Sequence, residues 1–269
     1  MSPCFLHGER MADRQRVIIL DEARGFFVIC MIIYHFLYSY QYVFNLNEGY
    51  SLFDNSFMKY FQIFISSSFI FISGISSWKS KDIMKRGIRL FAVALIISTV
   101  TFIVIPDEFI VFGILHFLGF SMITLGLIKR HIAGNLNIIY KNSAIIVLLC
   151  LFLLIICYNV KSGYIGIEGL YTVNLPESLY RNIFTSLLGF PDESFRSADY
   201  FPLIPHIFMF YAGVFSEIML KDKKLPDEAY RRHNRLLESA GRNSLTVYIL
   251  HQPIIFIFIY TYIILFKNL

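Results

Sequence analysis

Three polar side chains interrupt a hydrophobic stretch near the start of the chain, LDEARGFFVICMIIYH. Asp21 and Arg24 lie three residues apart at its beginning, a spacing that allows an ion pair on a helix. His35 ends the stretch, eleven residues after Arg24. Eleven residues are nearly three whole helical turns, so both side chains project from one face, about 16 Å apart along the axis, and Asp21 falls within about 40° of that face. The spacing predicts a helix with a charged pair at one end and a proton-transfer group deeper in.

A second polar stripe lies near the end of the chain, in GRNSLTVYILHQP. Ser244, Tyr248, His251 and Gln252 follow the i, i+4, i+7, i+8 spacing of one helix face. Pro253 frees a backbone carbonyl one turn back, which these groups could satisfy. The stripe is open to two interpretations, hydrogen bonding between helices at about 0.6–2 kcal/mol per bond or a part in chemistry.

Other ionisable side chains lie within or beside apolar stretches. His116, in FGILHFLGF, sits among small and aromatic residues and favours a packing role over substrate contact. Asp199 and His206, in SADYFPLIPH, could bind a polar acceptor at the mouth of a span or simply end a helix. The basic segment at residues 78–90 is explained either by topology and anionic headgroups or by docking of cofactor phosphates. Its candidates for the second role are Lys85, Arg86 and Arg89.

Composition predicts the elements that position these residues. Hydrophobic residues make up 56% of the chain and charged residues 16%, which favours an integral membrane protein over a soluble domain. Apolar stretches of about 18 residues, long enough to cross the hydrocarbon core, recur throughout. We predict an all-α bundle of about seven transmembrane helices, at residues 26–44, 57–77, 87–105, 109–128, 143–159, 201–220 and 244–266.

Basic residues sort by loop, which sets the predicted topology. They precede span one and follow spans two, four and six, whereas the opposite loops are acidic. The N-terminus is therefore predicted to be cytoplasmic and the C-terminus external, and this sorting by loop argues against nucleic acid as a partner. The basic residues are Arg10, Arg14, Arg16, Lys79, Lys81, Lys85, Arg86, Arg89, Lys129, Arg130, Lys141, Lys221, Lys223, Lys224, Arg231, Arg232 and Arg235; the acidic loops contain Glu48, Asp54, Asp107, Glu108 and residues 168–199.

The predicted organisation is simple. Residues 1–16 form a cytoplasmic tail, and residues 17–266 form one transmembrane domain with a structured external loop at about 160–200. The four cysteines show no paired spacing, so we expect neither a disulfide framework nor a metal site.

Four ordered motifs resemble one family. LDEARG followed by a span with His35, FGILHFLGFSM, DYFPLIPHIFMFYAGVF and GRNSLTVYILHQPI are together similar to bacterial membrane proteins with a heparan-alpha-glucosaminide N-acetyltransferase catalytic domain. The resemblance runs from about residue 16 to 260. It implies a multi-span acyltransferase that takes an acyl group from cytosolic acetyl-CoA, or a related acyl-CoA, and delivers it to a sugar across the membrane.

The resemblance also implies residue roles. His35 resembles a first-span histidine that activates the acceptor or relays the acyl group, and Arg24 resembles the arginine before it, suited to a cofactor phosphate. Asn243, Tyr248 and His251 are candidates to stabilise the oxyanion of acyl transfer. The chain departs from the lysosomal members, whose catalytic histidine follows the first span, because no histidine occurs here between His35 and His116.

These observations lead to one predicted function and its alternatives. We expect an acyltransferase of a bacterial cytoplasmic membrane that acetylates a sugar hydroxyl or amine, such as an envelope glycan, with no metal; the oligomeric state is left open, a homo-oligomer included. The rivals are a proton-coupled transporter or channel that uses the intramembrane histidines, and a scaffold in which the polar stripes only hold helices together. The predicted catalytic residues are His35, Asp21 and His251, the cofactor-binding residues Arg24, Lys85, Arg86 and Arg89, and the substrate-binding residues His116, Asp199, His206, Asn243 and Tyr248.

Overall fold

A computed structural model describes residues 16–46, 53, 55–132, 136–220, 223 and 225–266. Most of the predicted tail and the predicted loop charges Arg10, Arg14, Glu48, Asp54, Lys221 and Lys224 lie outside the described residues. Across the described ranges the chain is mainly helical. The helices are α1 Ile18–Tyr38, α2 Ser56–Lys79, α3 Ile83–Val104, α4 Ile114–Ile132, α5 Leu136–Ile156, α6 Ile183–Ser186, α7 Leu203–Leu220, α8 Arg235–Arg242 and α9 Ser244–Phe266.

The outer faces of the long helices are apolar. On α3, Ile96 and Ile103 are 62% and 70% exposed, an exposure that suits lipid and not water. Five candidate spans, α2, α3, Ile139–Ser162, α7 and α9, are long and apolar enough to cross a membrane within the described part of the chain. The chain is therefore an integral membrane protein. The predicted total of seven spans also needs α1 and α4, and that count remains a prediction.

Contacts group the chain into two compact units, unit 1 with Met1–Gln62 and Lys224–Leu269, and unit 2 with Ile63–Lys223. In unit 1, α1 crosses α8 where two glycines meet. A Cβ at Gly25 would lie 1.9 Å from the carbonyl oxygen of Leu237, and one at Gly241 would lie 1.8 Å from that of Asp21. Only glycine permits backbones to approach so closely, so these two residues fix the crossing point.

Further along α1, apolar side chains join it to α9. Ile255 and Ile259 of α9 are buried with Leu46, and Ile32 and Phe36 of α1 pack against them. Between these helical segments lies a π-helix, Ser39–Val43, which continues α1 with a wider turn. Such single turns of π-helix occur often at functional sites.

Unit 2 contains α2 from Ile63 onward and α3 to α7. Glycine again sets the close crossings: Gly87 of α3 abuts Gly119 of α4, and Gly74 of α2 abuts the backbone of α7 at Phe210. Helix α7 is kinked at Ile204, whose backbone is not helical.

The segment between α5 and α7 contains a two-stranded antiparallel hairpin, β1 Tyr164–Ile167 and β2 Tyr171–Asn174, with Tyr164 opposite Asn174. Further along, residues 197–201 bind the segment before α4. Ala198 N–H donates to the carbonyl of Phe109, and Phe201 N–H to that of Phe112. These bonds explain why α4 begins at Ile114 and not at the predicted residue 109, because the backbone carbonyls of residues 109 and 112 bind the segment at 198–201 and the chain there is not helical.

Candidate active site

Two histidines from different helices of unit 1 lie side by side. The rings of His35 on α1 and His251 on α9 have centroids 5.0 Å apart. His251 is buried, with 8% of its surface exposed, and His35 is partly buried. Tyr34 and Tyr248 flank the pair, with ring centroids 5.7 Å from His35 and 5.4 Å from His251, respectively. Of the sequence-predicted site residues, His35, His251 and Tyr248 are thus brought together.

The inward face of α9 explains this placement. His251, Ile255 and Ile259 are buried at i, i+4 and i+8, one helix stripe that packs against α1. His251 and Gln252, two of the polar residues predicted on that face, therefore point toward α1 instead of into lipid.

A serine and a glutamine extend the polar cluster. Gln252 Nε2 donates to Ser39 Oγ at 3.2 Å, and Ser39 is fully buried. Ser39 follows His35 by four residues and therefore lies on the same face of α1, where the π-helix begins. The sequence predicts Gln252 as part of the polar stripe, whereas nothing in the local sequence distinguishes Ser39 from the other serines.

The hydrogen bonding of His251 defines which ring nitrogen can act as a base. Its Nδ1 lies 2.5 Å from the backbone carbonyl oxygen of Tyr248. A carbonyl oxygen only accepts, so Nδ1 carries the proton and donates it. In the neutral ring Nε2 is then the basic nitrogen, the form needed to take a proton from an acceptor.

The other end of α1 is built differently. Asp21 is buried and held by Arg16 Nε at 2.5 Å and by Arg24 Nη1 at 3.1 Å, with Arg242 Nε of α8 at 4.0 Å. Asp21 and His35 are fourteen residues apart on one helix, which places their backbones about 21 Å apart. Asp21 and Arg24 therefore form an ion-pair cluster with α8 at a distance from the histidine pair.

Two further buried carboxylates complete that cluster, and sequence reasoning missed both. Glu22 accepts from the backbone N–H groups of His233 at 2.6 Å and Asn234 at 2.8 Å, and from His233 Nδ1 at 3.1 Å. Glu238 binds Arg242 Nη2 at 2.5 Å and also Arg232. For Glu22 the sequence offered a signal, because two adjacent acids, Asp21 and Glu22, lie near the start of an apolar helix, where each needs a partner. Nothing comparable marks Glu238, which lies in the short polar helix α8.

The electrostatics of Glu22 follow from these bonds. Burial alone would raise the pKa of its carboxyl, but the N–H donors of Asn234 and His233 and the side chain of His233 outweigh burial, so the pKa lies below its ordinary value. Asn243, a predicted substrate-binding residue, follows α8 as its C-cap, and its Nδ2 donates to the carbonyl of Ser239 at 2.9 Å.

The remaining predicted residues belong to unit 2. Asp199 Oδ2 accepts the N–H of Ile114 at 3.2 Å and so caps α4. His116 Nε2 lies 3.3 Å from Ser98 Oγ, and its ring meets Phe91 edge-on at 5.6 Å. Because Ser98 donates its own hydroxyl proton to the carbonyl of Ile110 at 2.6 Å, His116 Nε2 is the donor to Ser98 and the histidine is held by packing and one hydrogen bond.

His206 lies at the start of α7, with Nδ1 3.0 Å from the carbonyl of Pro202 and its ring beside Phe201 and Phe117. Lys85, Arg86 and Arg89 extend as exposed side chains from the first two turns of α3. This exposure fits contact with phosphates, whether of a cofactor or of lipid headgroups.

A comparison with protein families matches residues 16–253 to the family described as heparan-alpha-glucosaminide N-acetyltransferase, catalytic. The chain belongs to this family. The heparan-alpha-glucosaminide N-acetyltransferase catalytic family comprises membrane enzymes with acetyl-CoA as donor, so this chain is an acetyl-CoA-dependent N-acetyltransferase. No curated protein and no solved structure matches the chain.

The acetyltransferase reaction needs chemical groups of the kind that the histidine pair contains. Transfer from a thioester needs a base for the acceptor proton and donors for the oxyanion, and both can come from a paired histidine site in a dry helix interface. Within the described residues no three His, Cys, Asp or Glu side chains converge as metal ligands would.

Proposed function

We propose that this acetyltransferase moves an acetyl group from acetyl-CoA on the cytoplasmic side to an amine or hydroxyl of a sugar on the external side of a bacterial cytoplasmic membrane. The seven-span topology, with the N-terminus inside, belongs to this proposal and is supported by the sorting of basic residues among loops. The single-domain organisation of residues 17–266 belongs to it as well.

The contact of His35 with His251 is the observation that carries the proposal. These rings come from helices at opposite ends of the chain and meet in unit 1 with Ser39 and Gln252 beside them. A polar cluster of this kind within apolar helices is costly unless it serves a site. We assign His251 Nε2 or His35 as the base and the neighbouring histidine and Tyr248 as the groups that orient the acceptor.

The base removes a proton from the acceptor amine or hydroxyl as its nitrogen or oxygen attacks the thioester carbonyl. The carbonyl oxygen gains negative charge, which a histidine or tyrosine donor stabilises. The carbon–sulfur bond then breaks, and the protonated base gives its proton to the departing thiolate, which leaves as coenzyme A.

Arginine and lysine side chains supply the donor-binding part of the proposal. Arg24 lies at the predicted cytoplasmic end of α1, where it pairs with Asp21. Lys85, Arg86 and Arg89 occupy the predicted cytoplasmic end of α3. Asp21 serves as a positioning residue, because its ion pair with Arg24 determines where the Arg24 guanidinium group can reach. His116, Asp199, His206 and Asn243 remain proposed acceptor contacts in this account.

Reconstitution tests the proposal and its rival together. Purified protein in vesicles receives labelled acetyl-CoA on one side and glucosamine, or glucose as a hydroxyl control, on the other. Labelled N-acetylglucosamine that depends on the protein supports transfer across the membrane. Uptake of glucosamine or protons without acetyl-CoA, and without any acetylated sugar, favours the transporter and contradicts the proposal.

A further inference from the structure

A two-stranded hairpin follows directly after one of the candidate membrane spans. The span that contains most of α5 runs from Ile139 to Ser162, and β1 begins two residues later, at Tyr164. Two extended residues reach at most about 7 Å, which is about the thickness of one head-group layer of a bilayer. The hairpin therefore starts at the membrane surface, on the side where α5 ends.

One face of this hairpin is apolar. Its register sets Ile165 opposite Val173 and Ile167 opposite Tyr171, and directly opposed residues of an antiparallel pair point to the same side of the sheet. Residues two apart on a strand share that side as well, so these four side chains form one continuous face. The other face carries Tyr164, Gly166, Thr172 and Asn174.

The apolar face and the adjoining turn are exposed. Tyr171 is 73% exposed, Leu170, in the turn, is 80% exposed, and Ile167 and Val173 are each 41% exposed. Gly169, with a φ of 83°, permits the turn, in which the N–H of Leu170 donates to the carbonyl of Ile167 at 3.0 Å. Contiguous exposed apolar side chains of this kind mark an interaction site.

The outer face of α5 indicates what covers the hairpin. Leu148, Phe152 and Ile155 are exposed and follow the spacing i, i+4, i+7 of one helix face. In a membrane span such a face contacts the acyl chains of lipids. Ile155 lines the same shallow recess as Ile167 of β1, so the apolar surface continues from the span onto the hairpin. Lipid that covers the last turns of α5 is therefore in place to cover the hairpin as well.

We infer that the hairpin is an interfacial membrane anchor, with its apolar face and Leu170 against the acyl chains of the leaflet on the side where α5 ends. The proposed topology makes that leaflet the external one. Tyr171 suits this position because its ring is apolar and its hydroxyl can remain in contact with water or head groups. The carboxylate of Glu168, in the same turn, limits the depth to the head-group boundary, because a charge in the hydrocarbon core is costly. The inference concerns lipid contact alone and does not rest on acetyl transfer.

Tryptophan fluorescence in lipid vesicles tests the anchor with the full chain. The sequence contains one tryptophan, Trp78. Trp78→Phe removes its signal but keeps an aromatic ring and the backbone carbonyl that Lys129 Nζ binds. In this background Tyr171→Trp reports on the apolar face, and Thr172→Trp, its neighbour on the other face, is the matched control.

Two quenchers distinguish lipid from water. Lipids brominated in the acyl chain near its carboxyl end quench from the bilayer, and acrylamide quenches from water. We expect the ratio of lipid quenching to acrylamide quenching to be at least about twofold higher at residue 171 than at residue 172, because an interfacial element buries only its apolar face.

The position of the bromine and a second reporter complete the test. Lipids brominated near the methyl end of the chain are expected to quench residue 171 less than those brominated near the carboxyl end, and the reverse order contradicts an interfacial position. Leu170→Trp replaces Tyr171→Trp if that variant does not fold, with the same expected ratio. Equal ratios on the two faces overturn the inference, because the hairpin then has no lipid-facing side. Weak quenching of residue 171 by both agents overturns it too, because the apolar face is then covered by protein, such as a second copy of this chain.

Discussion

The crossing of α1 and α8 predicts that Gly25→Ala destabilises unit 1. The added Cβ would lie 1.9 Å from the carbonyl oxygen of Leu237 and 2.9 Å from the backbone nitrogen of Gly241. Both neighbours are backbone atoms and cannot rotate away. The nearer contact has to lengthen from 1.9 Å to beyond 3.0 Å, so the helices must separate by at least 1.1 Å.

The magnitude follows from two opposing effects. Overpacking of this kind costs about 1–3 kcal/mol, and a backbone clash belongs at the upper end. Replacing glycine by alanine in a helix returns about 0.4–1 kcal/mol, because the unfolded chain loses freedom. The net loss of about 2–2.6 kcal/mol lowers the apparent Tm by about 4–10 °C for a chain of this size.

Thermal unfolding in detergent, followed by circular dichroism or a thiol-reactive dye, measures this change. Gly126→Ala on α4 is the matched control, because its Cβ would meet only the side chains of Ile83 and Met84 at 3.3 Å and beyond. We expect the control to unfold within about 1 kcal/mol of the wild type. A Gly25→Ala protein as stable as the control would refute the close crossing of α1 and α8.

Two further predictions concern charged groups. The hydrogen bonds to Glu22 lower the pKa of its carboxyl group, so its contribution to stability is complete above the unfolded-state pKa of about 4.3 and is lost as the pH falls through the lower folded-state pKa. In urea titrations, Glu22→Gln should therefore lose less stability than the wild type between about pH 5 and 3. A pH profile equal to that of the wild type would argue against the bonds to His233 and Asn234. Lys79→Met removes the cation 3.2 Å from the largely buried Glu217 and should lower the free energy of unfolding by about 1–3 kcal/mol. Adding Glu217→Gln should restore part of this loss, because the buried carboxylate is then no longer charged. No recovery in the double variant would show that the two side chains do not couple.

Some of the fold follows directly from hydropathy. The predicted span at residues 244–266 coincides with α9, Ser244–Phe266, because the run is long, mainly apolar and free of Asp, Glu, Lys and Arg. The first span was predicted from residue 26, yet α1 begins at Ile18. Its first two turns carry charges, and their ion pairs with α8 keep them helical although their hydropathy is low.

Which helix faces meet is beyond the reach of sequence periodicity. The pattern places His35 on one face of α1 and His251 on one face of α9, but it gives no information about their contact. The bond between Gln252 and Ser39 joins residues 213 positions apart and depends on how the two helices pack. The same limit applied to Asp199, for which ending a helix and binding an acceptor were equally consistent with the sequence; the structure shows it as the cap of α4.

The role of the histidine pair is the central proposal of this account, and single-turnover acetylation tests it directly. His35→Asn and His251→Asn proteins in vesicles are mixed with acetyl-CoA and glucosamine, and acetyl-CoA binding is measured separately by isothermal titration. We predict that each substitution slows acetyl transfer by about 10²–10⁴-fold, the contribution of a general acid or base, while acetyl-CoA binding is retained. Transfer at the wild-type rate by both variants would contradict the assignment of this site.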